Sequence, residues 1–231
     1  MGMEEIVVEA RLEQGLRIAF RPFHPGEAEV IRDIHEYGHY QLLEPMEGEV
    51  VVDVGAHIGA FTLKTALKVG REGQVIALEP HPDNYELLLS NIKRNRLDNV
   101  KAVNAAVLDK NGEARLYLSA GSIAHSTLFN RGLGHLKVTA KSLDTILAEL
   151  DCNRVDAVKI DAEGAEALVI RGGRKTFKTM PRVAVAAYHT PVQAMEVSTC
   201  LTKMGYQPGI EYARSGVYRA MQDHVPIIYG I

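Results

Sequence analysis

The chain has 231 residues, 46% hydrophobic and 24% charged, with a formal net charge of −3 at neutral pH. That length and balance describe one ordinary globular domain with a full core and exclude a disordered or collagen-like chain. The slightly acidic charge supplies no broad cationic field for nucleic acid, no run approaches the ~18 apolar residues of a membrane span, and the isolated Cys152 and Cys200 set neither a disulfide framework nor a cysteine zinc site.

Residues 1–45 read differently from the rest of the chain. Residues 6–11 and 16–20 flank Gln14-Gly15 as a hairpin, and residues 25–40 carry helical spacing at Ala28, Val30, Ile31 and Ile34, ending near Gly38. This segment is expected to cover one edge of a main domain spanning residues 46–231. An apolar run over 50–54 opens that domain and ends in a turn carrying Asp53, Gly55 and Gly59. A helical pattern comes next (Phe61, Leu63, Ala66, Leu67), closed by Gly70, and a second apolar run over 75–78 stops at Glu79. Pro82 opens the next helix, with Tyr85, Leu88, Leu89 and Ile92 along its inner face. Asp98-Asn99 turns into a third strand over 100–107, and Asn111-Gly112 reads as a hairpin turn into an extra strand over 114–118.

Residues 121–134 form a long loop, 136–140 a short strand, and Ser142 caps a helix over 143–150. The fourth parallel strand, 155–160, ends at Asp161. A helix over 165–171 stops at Gly172-Gly173, and 183–187 is the fifth strand. Thr190-Pro191 starts a helix that Gly205 ends, and the tail from Tyr206 should close as a hairpin around Ser215-Gly216. The alternation predicts an α/β fold: a Rossmann-like, doubly wound, mostly parallel seven-stranded sheet with an antiparallel C-terminal hairpin and a small N-terminal cover. Ligands bind at the carboxyl ends of such strands.

The strand–turn–helix–strand unit from residue 50 to Glu79 is the arrangement that holds an adenosine-containing cofactor, with Glu79 placed to accept from both ribose hydroxyls. A dinucleotide site wants G-x-G-x-x-G so that backbone amides reach a pyrophosphate. Here the turn reads Asp53-x-Gly55-Ala56-His57-Ile58-Gly59, with His57 where the middle glycine belongs, and no Gly-Lys-Ser/Thr comes after it to make a P-loop. S-Adenosylmethionine carries no phosphate, and the acid at Asp53 suits its cationic methionine end. His81 and Asn84 are further contacts, and adenine is expected between the turn after Glu79 and the strand end at Asn104, Ala105 and Ala106.

The wording Asp-Val-Gly-Ala-His-Ile-Gly resembles the cofactor motif of the FkbM family of class I methyltransferases, which usually has Asn at the place of His57. The segment Lys159-Ile-Asp161-Ala-Glu163-Gly-Ala-Glu166, the Ser142-Leu-Asp144 element and Asn104-Ala-Ala-Val107 extend the likeness over about residues 40–190. The resemblance implies an S-adenosylmethionine-dependent methyltransferase, with Asp161 opposite the methyl-donor end of the cofactor. A carboxylate there accepts a proton from a substrate hydroxyl, or holds a metal that lowers the hydroxyl's pKa. Glu163 is its partner, although Glu163 and Glu166 also complement the positive end of the next helix. Similar proteins often carry an acid and then a His after the fifth strand, whereas this chain has Ala186-Ala187-Tyr188-His189. Without that acid, two carboxylates make a thin Mg²⁺ site, so the expectation is a metal-free reaction with Asp161 as base.

Acceptor contacts are expected from Tyr40, from Ser122, His125 and Ser126 on the long loop, and from His189. His35-Glu36-Tyr37-Gly38-His39 formally matches H-E-x-x-H, which on a helix would bind zinc with Glu36 as general base. Gly38 weakens a helix there and no third ligand is recognisable nearby, so the segment is expected to line the site's edge instead. The function expected is O-methylation of a small or glycosidic acceptor. A tRNA methyltransferase on the same fold is the alternative, weakened by the acidic balance. Glu4 and Glu5 do not fit a signal peptide, so the expected compartment is the cytoplasm, and the oligomeric state stays open.

Overall fold

The computed structural model describes residues 6–216 and 224–230. Its strands are β1 (Val8–Arg11), β2 (Arg17–Phe20), β3 (Val50–Val54), β4 (Gln74–Leu78), β5 (Val100–Val103), β6 (Ala106–Leu108), β7 (Gly112–Tyr117), β8 (His135–Ser142), β9 (Ala157–Ile160), β10 (Arg182–Ala186), β11 (Pro208–Arg214) and β12 (His224–Gly230). Its helices are α1 (Glu27–His35), α2 (Ala60–Val69), α3 (Pro82–Arg94), α4 (Leu143–Glu149), α5 (Glu166–Gly172), α6 (Arg174–Phe177) and α7 (Gln193–Lys203).

The short apolar runs at β3, β4, β9 and β10 are buried on both faces, which is why they read as continuous Val, Ile and Ala stretches and not as alternating ones. They form the centre of a seven-stranded sheet of order β11-β12-β10-β9-β3-β4-β5. Neighbours from β5 to β10 run parallel, and β12 is antiparallel to both β10 and β11. The chain moves outward from β3 to β5 and then returns to lay β9 against the other side of β3. The order therefore reverses between β3 and β9, and a crevice opens beyond their carboxyl ends. Local signals hold the helices: Ser142 Oγ accepts from the Thr145 amide at the start of α4, and α3 has Pro82 at its first position with His81 as cap.

Three expectations need correction. The third strand does not run through to residue 107. Asn104 turns its side-chain amide onto the Glu79 and Pro80 carbonyls, at 2.8 and 3.1 Å, which stops pairing with β4, and β6 departs into a separate three-stranded sheet of order β6-β8-β7. Asn111-Gly112 accordingly makes no hairpin, because β8 lies between β6 and β7. The Asn111 side chain instead accepts from the Ser142 amide and donates to Thr145 Oγ1. Leu89 stands on the outer side of α3, 37% exposed, and Asn91 takes an inner place. The C-terminal hairpin is present as β11 and β12; Ser215 and Gly216 after β11 both donate to Asp33, and residues 217–223 of the connection lie outside the described residues.

Asn91 ties the N-terminal segment to this frame. Its side chain accepts from the Ala19 amide at 2.7 Å and donates to the Ala19 and Ile58 carbonyls, so α3 grips the backbone of β2 where an edge strand would otherwise go unpaired. The β1–β2 hairpin thereby delivers Arg21, and α1 delivers Glu27, to the sheet's carboxyl end.

Candidate active site

The turn after β3 is built from left-handed backbone: Gly55 at φ +75, His57 at +53 and Gly59 at +98. At Gly55 a Cβ would stand 1.8 Å from the Asp161 carbonyl oxygen, so its glycine is required by the close passage of the β9 end, not by a ligand. At Gly59 a Cβ would meet Leu88 of α3 at 2.8 Å. The Gly55 and Ala56 amides both donate to the Leu78 carbonyl, and the His57 amide donates to Glu79 Oε2 at 2.8 Å. Three successive amides are thus spent on β4, which is the physical reason this turn does not cradle a pyrophosphate.

Glu79, at the tip of β4, is buried. Its carboxylate also accepts from the His81 amide at 2.9 Å and, more distantly, from Asn84 Nδ2. Burial outweighs these donors and raises its pKa to about 7. Around it lies a polar network that the sequence reading missed. Arg21 Nε donates to Glu27 Oε1 at 2.7 Å, the Arg21 guanidinium reaches Asn84 Oδ1, and Ser122 Oγ donates to Glu27 Oε1 at 2.6 Å. His57 Nε2 meets Ser122 Oγ at 2.9 Å; because that hydroxyl donates to Glu27, the bond assigns the proton to Nε2. Nδ1 is left as a buried acceptor without a hydrogen-bond partner among the described residues. Burial, then the Arg21 charge, holds His57 well below the ordinary histidine range and therefore neutral. His81 stacks on His125 with ring centroids 4.3 Å apart, and burial first, then the neighbouring His81, lowers His125 to about 4.

Asp53 does not reach the crevice. It is Lys159's register partner across β3 and β9, and its carboxylate is occupied by Lys159 Nζ at 2.9 Å and Thr62 Oγ1 at 2.6 Å. Lys159 Nζ also donates to the Gly55 carbonyl at 2.7 Å. A lysine inside an otherwise apolar strand was the signal for this pair, since a buried charge requires a partner.

At the ends of β9 and β10 the carboxylates gather. Tyr40, buried with φ +62, donates its hydroxyl to Asp161 Oδ2 at 2.9 Å; burial first, then the Asp161 charge, raises the phenol well above its ordinary value. Asp161 Oδ1 is buried and has no hydrogen-bond partner among the described residues. His189 Nε2 lies 3.4 Å from Asp161 Oδ1 and 3.4 Å from Glu163 Oε1, and Nδ1 lies 3.1 Å from Glu166 Oε1. Burial alone would lower His189, but Glu163 and Glu166 together hold it well above the ordinary value, while burial raises Glu163. Glu166 is fixed in turn by Gln193 and by the Ala162 and Gly164 amides. Glu163 itself sits at φ +49, a strained position that turns it back toward His189.

Many of these groups border one open cavity. Of the predicted residues, Gly55, Ala56, His57, Glu79, Asn84, Ala105, Ala106, Asp161, Glu163, Tyr40, Ser122 and His125 line it. Ile58 and Gly59 stand behind the turn, and His81 behind His125. Ser126 is fully buried and spent on the Glu163 carbonyl and on the Leu128 and Phe129 amides; His189 sits beneath the wall, so neither faces an acceptor as expected. The H-E-x-x-H segment does not form a zinc site. Helix α1 ends at His35, which bonds the Ala60 carbonyl, whereas His39 bonds the Arg214 carbonyl and Gly38 breaks the helix at φ +70. His39 and Tyr40 line the cavity; His35 does not.

The model of the methyltransferase FkbM domain matches residues 53–208. Methyltransferase sdnD of Sordaria araneosa is 25% identical over 189 residues, covering 68% of this chain and 73% of that protein. The 2-O-methyltransferase NoeI of Sinorhizobium fredii is 26% identical over 158 residues, 60% of this chain and 64% of that one. The crystal structure of methyltransferase FkbM from Methylobacillus flagellatus shares the fold with a TM-score of 0.59 at 19% identity, over 79% of this chain and only 43% of its own. The chain belongs to the FkbM methyltransferase family and is an S-adenosylmethionine-dependent enzyme.

Proposed function

We propose that this member of the FkbM methyltransferase family transfers its methyl group to a hydroxyl oxygen of a small or glycosidic acceptor. The observation that carries the reading is Asp161, one of whose oxygens is held by Tyr40 while the other, buried at the cavity wall, has no hydrogen-bond partner among the described residues. A hydroxyl is the group that completes such a carboxylate, because it brings both a proton to donate and the oxygen to be methylated. The relative named as a 2-O-methyltransferase supports the same choice.

The cavity fits the cofactor. Glu79 is a buried carboxylate raised to about 7 by lack of solvent, and two ribose hydroxyls donating to it would supply what burial removed. Gly55, Ala56 and His57 would form the floor, Glu79 and Asn84 the ribose side, and Ala105 and Ala106 the adenine wall, with Ile58, Gly59 and His81 supporting them from behind. Bound there, S-adenosylmethionine supplies a methyl group on a positively charged sulfur. The protein's residues do the remaining work. Tyr40 fixes the plane of Asp161, Asp161 is the group through which the acceptor hydroxyl is activated and aligned, and Ser122 and His125 close the cavity from the loop side. Lys159 pairs with Asp53, which leaves Asp161 and Glu163, with His189 between them, as the ionisable groups at the reacting end. The two free cysteines fit a reducing compartment, the cytoplasm.

The test is to incubate the purified chain with methyl-labelled S-adenosylmethionine and fractionated extract of the source cells, with and without nuclease. Label should enter a nuclease-resistant small molecule as an alkali-stable ether. Label confined to RNA, or appearing on nitrogen, would overturn the acceptor assignment.

A further inference from the structure

We propose that Asp161, Glu163 and His189 bind one divalent cation, of the Mn²⁺ or Zn²⁺ kind before Mg²⁺, at the acceptor end of the cavity. Each residue offers one ligand atom, and all three atoms lie within 4.8 Å of one another. The two edges that meet at His189 Nε2, to Asp161 Oδ1 and to Glu163 Oε1, are each 3.4 Å. A charge-assisted hydrogen bond would close to about 2.8 Å. Ligands about 2.1 Å from a common ion stand about 3.0 Å apart in an octahedron and about 3.4 Å apart in a tetrahedron. The spacing matches a coordination edge; without an ion the same groups pair as imidazolium and carboxylate, and the cation would take the place of the proton on Nε2.

Polar bookkeeping agrees with the spacing. The His189 side chain is only 3% exposed, yet among the described residues its ring nitrogens meet carboxylates only at ion-pair distance without a well-formed hydrogen bond, and Asp161 Oδ1 is buried without one as well. Two such atoms aimed at a common point are what a missing ligand leaves behind. The surrounding shell has the form that orients metal ligands. Glu166 stands 3.1 Å from the far nitrogen of His189 and is itself held by Gln193 and two backbone amides, while Tyr40 occupies the other oxygen of Asp161. One imidazole and two carboxylates favour Mn²⁺ or Zn²⁺ over the all-oxygen preference of Mg²⁺, and three protein ligands leave positions for acceptor oxygens. The metal-free expectation counted only Asp161 and Glu163; His189 adds a third ligand, and the left-handed backbone at 163–164 turns Glu163 toward it.

What the cation does rests on the methyl-transfer reading; whether it binds does not. Chelator-stripped full-length protein is titrated with Mn²⁺ and followed by electron paramagnetic resonance and calorimetry. We expect one ion per chain, with affinity at least tenfold weaker in His189→Ala and in Asp161→Asn and unchanged in His135→Ala. Retained binding of S-adenosylhomocysteine confirms that the variants are folded. Failure of the wild-type chain to bind either Mn²⁺ or Zn²⁺ at millimolar concentration, or binding indifferent to both variants, overturns the site. Methyl transfer that survives chelation with no ion bound would leave Asp161 acting alone as base; an ion bound tightly in a chain that transfers no methyl group would keep the site and remove the reading of its use.

Discussion

The carboxylates at the two ends of the cavity are treated oppositely by the fold. Glu79, at the tip of β4, accepts from two backbone amides and a side-chain amide, and no oxygen of it is orphaned. Asp161, at the tip of β9 on the other side of the topological switch, keeps one oxygen tied to Tyr40, while the other, without a hydrogen bond among the described residues, lies 3.4 Å from His189 Nε2. The first end is preorganised by nearby backbone, as suits a site that holds one unchanging group. The second stores unmet polar demand, as suits a site where the reacting group changes. The two ends touch at Gly55, where the turn after β3 passes under the Asp161 carbonyl.

That seam gives the largest expected effect. In Gly55→Val the new Cβ collides with backbone oxygen at a left-handed position, so the variant should lose about 3 kcal/mol or more of stability by denaturant titration, and both ends should fail together. A stable Gly55→Val chain with one end intact would show that the ends are not coupled through this contact. Next is Asp161→Asn, which should depress methyl transfer by about 10²-fold or more with cofactor affinity nearly unchanged, because the loss is confined to the acceptor end. An equal loss in both quantities would erase the distinction between the ends.

Glu79→Ala should show the converse, weakening S-adenosylmethionine by about 2 kcal/mol, roughly 30-fold in Kd, by calorimetry. The pH dependence comes from the same residue. Its folded pKa of about 7 lies above the ordinary 4.5, so the folded state binds more protons in that interval and cofactor-free stability falls as pH rises through it. Ribose hydroxyls donate to the ionised form, so cofactor affinity should climb from pH 6 to pH 8 and level off. A Glu79→Gln chain with the same slope would assign it to another group. The smallest effect expected is that of Ser122→Ala, which strips one bond each from His57 and Glu27. It should cost about 1–2 kcal/mol of thermal or denaturant stability, with little change at the acceptor end.

Much of this plan was open to reading in the linear chain because it depends on neighbours in sequence. The buried strands β3, β4, β9 and β10 announce themselves as short Val/Ile/Ala runs, and the Gly55–Gly59 turn with Glu79 after the next strand marks the cofactor end within thirty residues. Ser142 capping α4 and Pro82 opening α3 are equally local. Asp161 and Glu163 stand together in one short motif, and their place at a strand tip follows from the alternation of elements.

Everything that depends on partners far apart in the chain was decided by packing. The role of Asp53 changed because register across β3 and β9 puts Lys159 beside it, 106 positions away. Arg21 and Glu27 carry no local sign of their task, which exists only because Asn91 clamps β2 onto α3 and the 122–127 loop folds down over α1. The third strand was broken by one side chain, Asn104, competing for carbonyls that pairing would have used. His189 reads as a lone histidine after a strand; its meaning comes from three carboxylates that burial forces into one small volume, where unmet charge cannot be left to water.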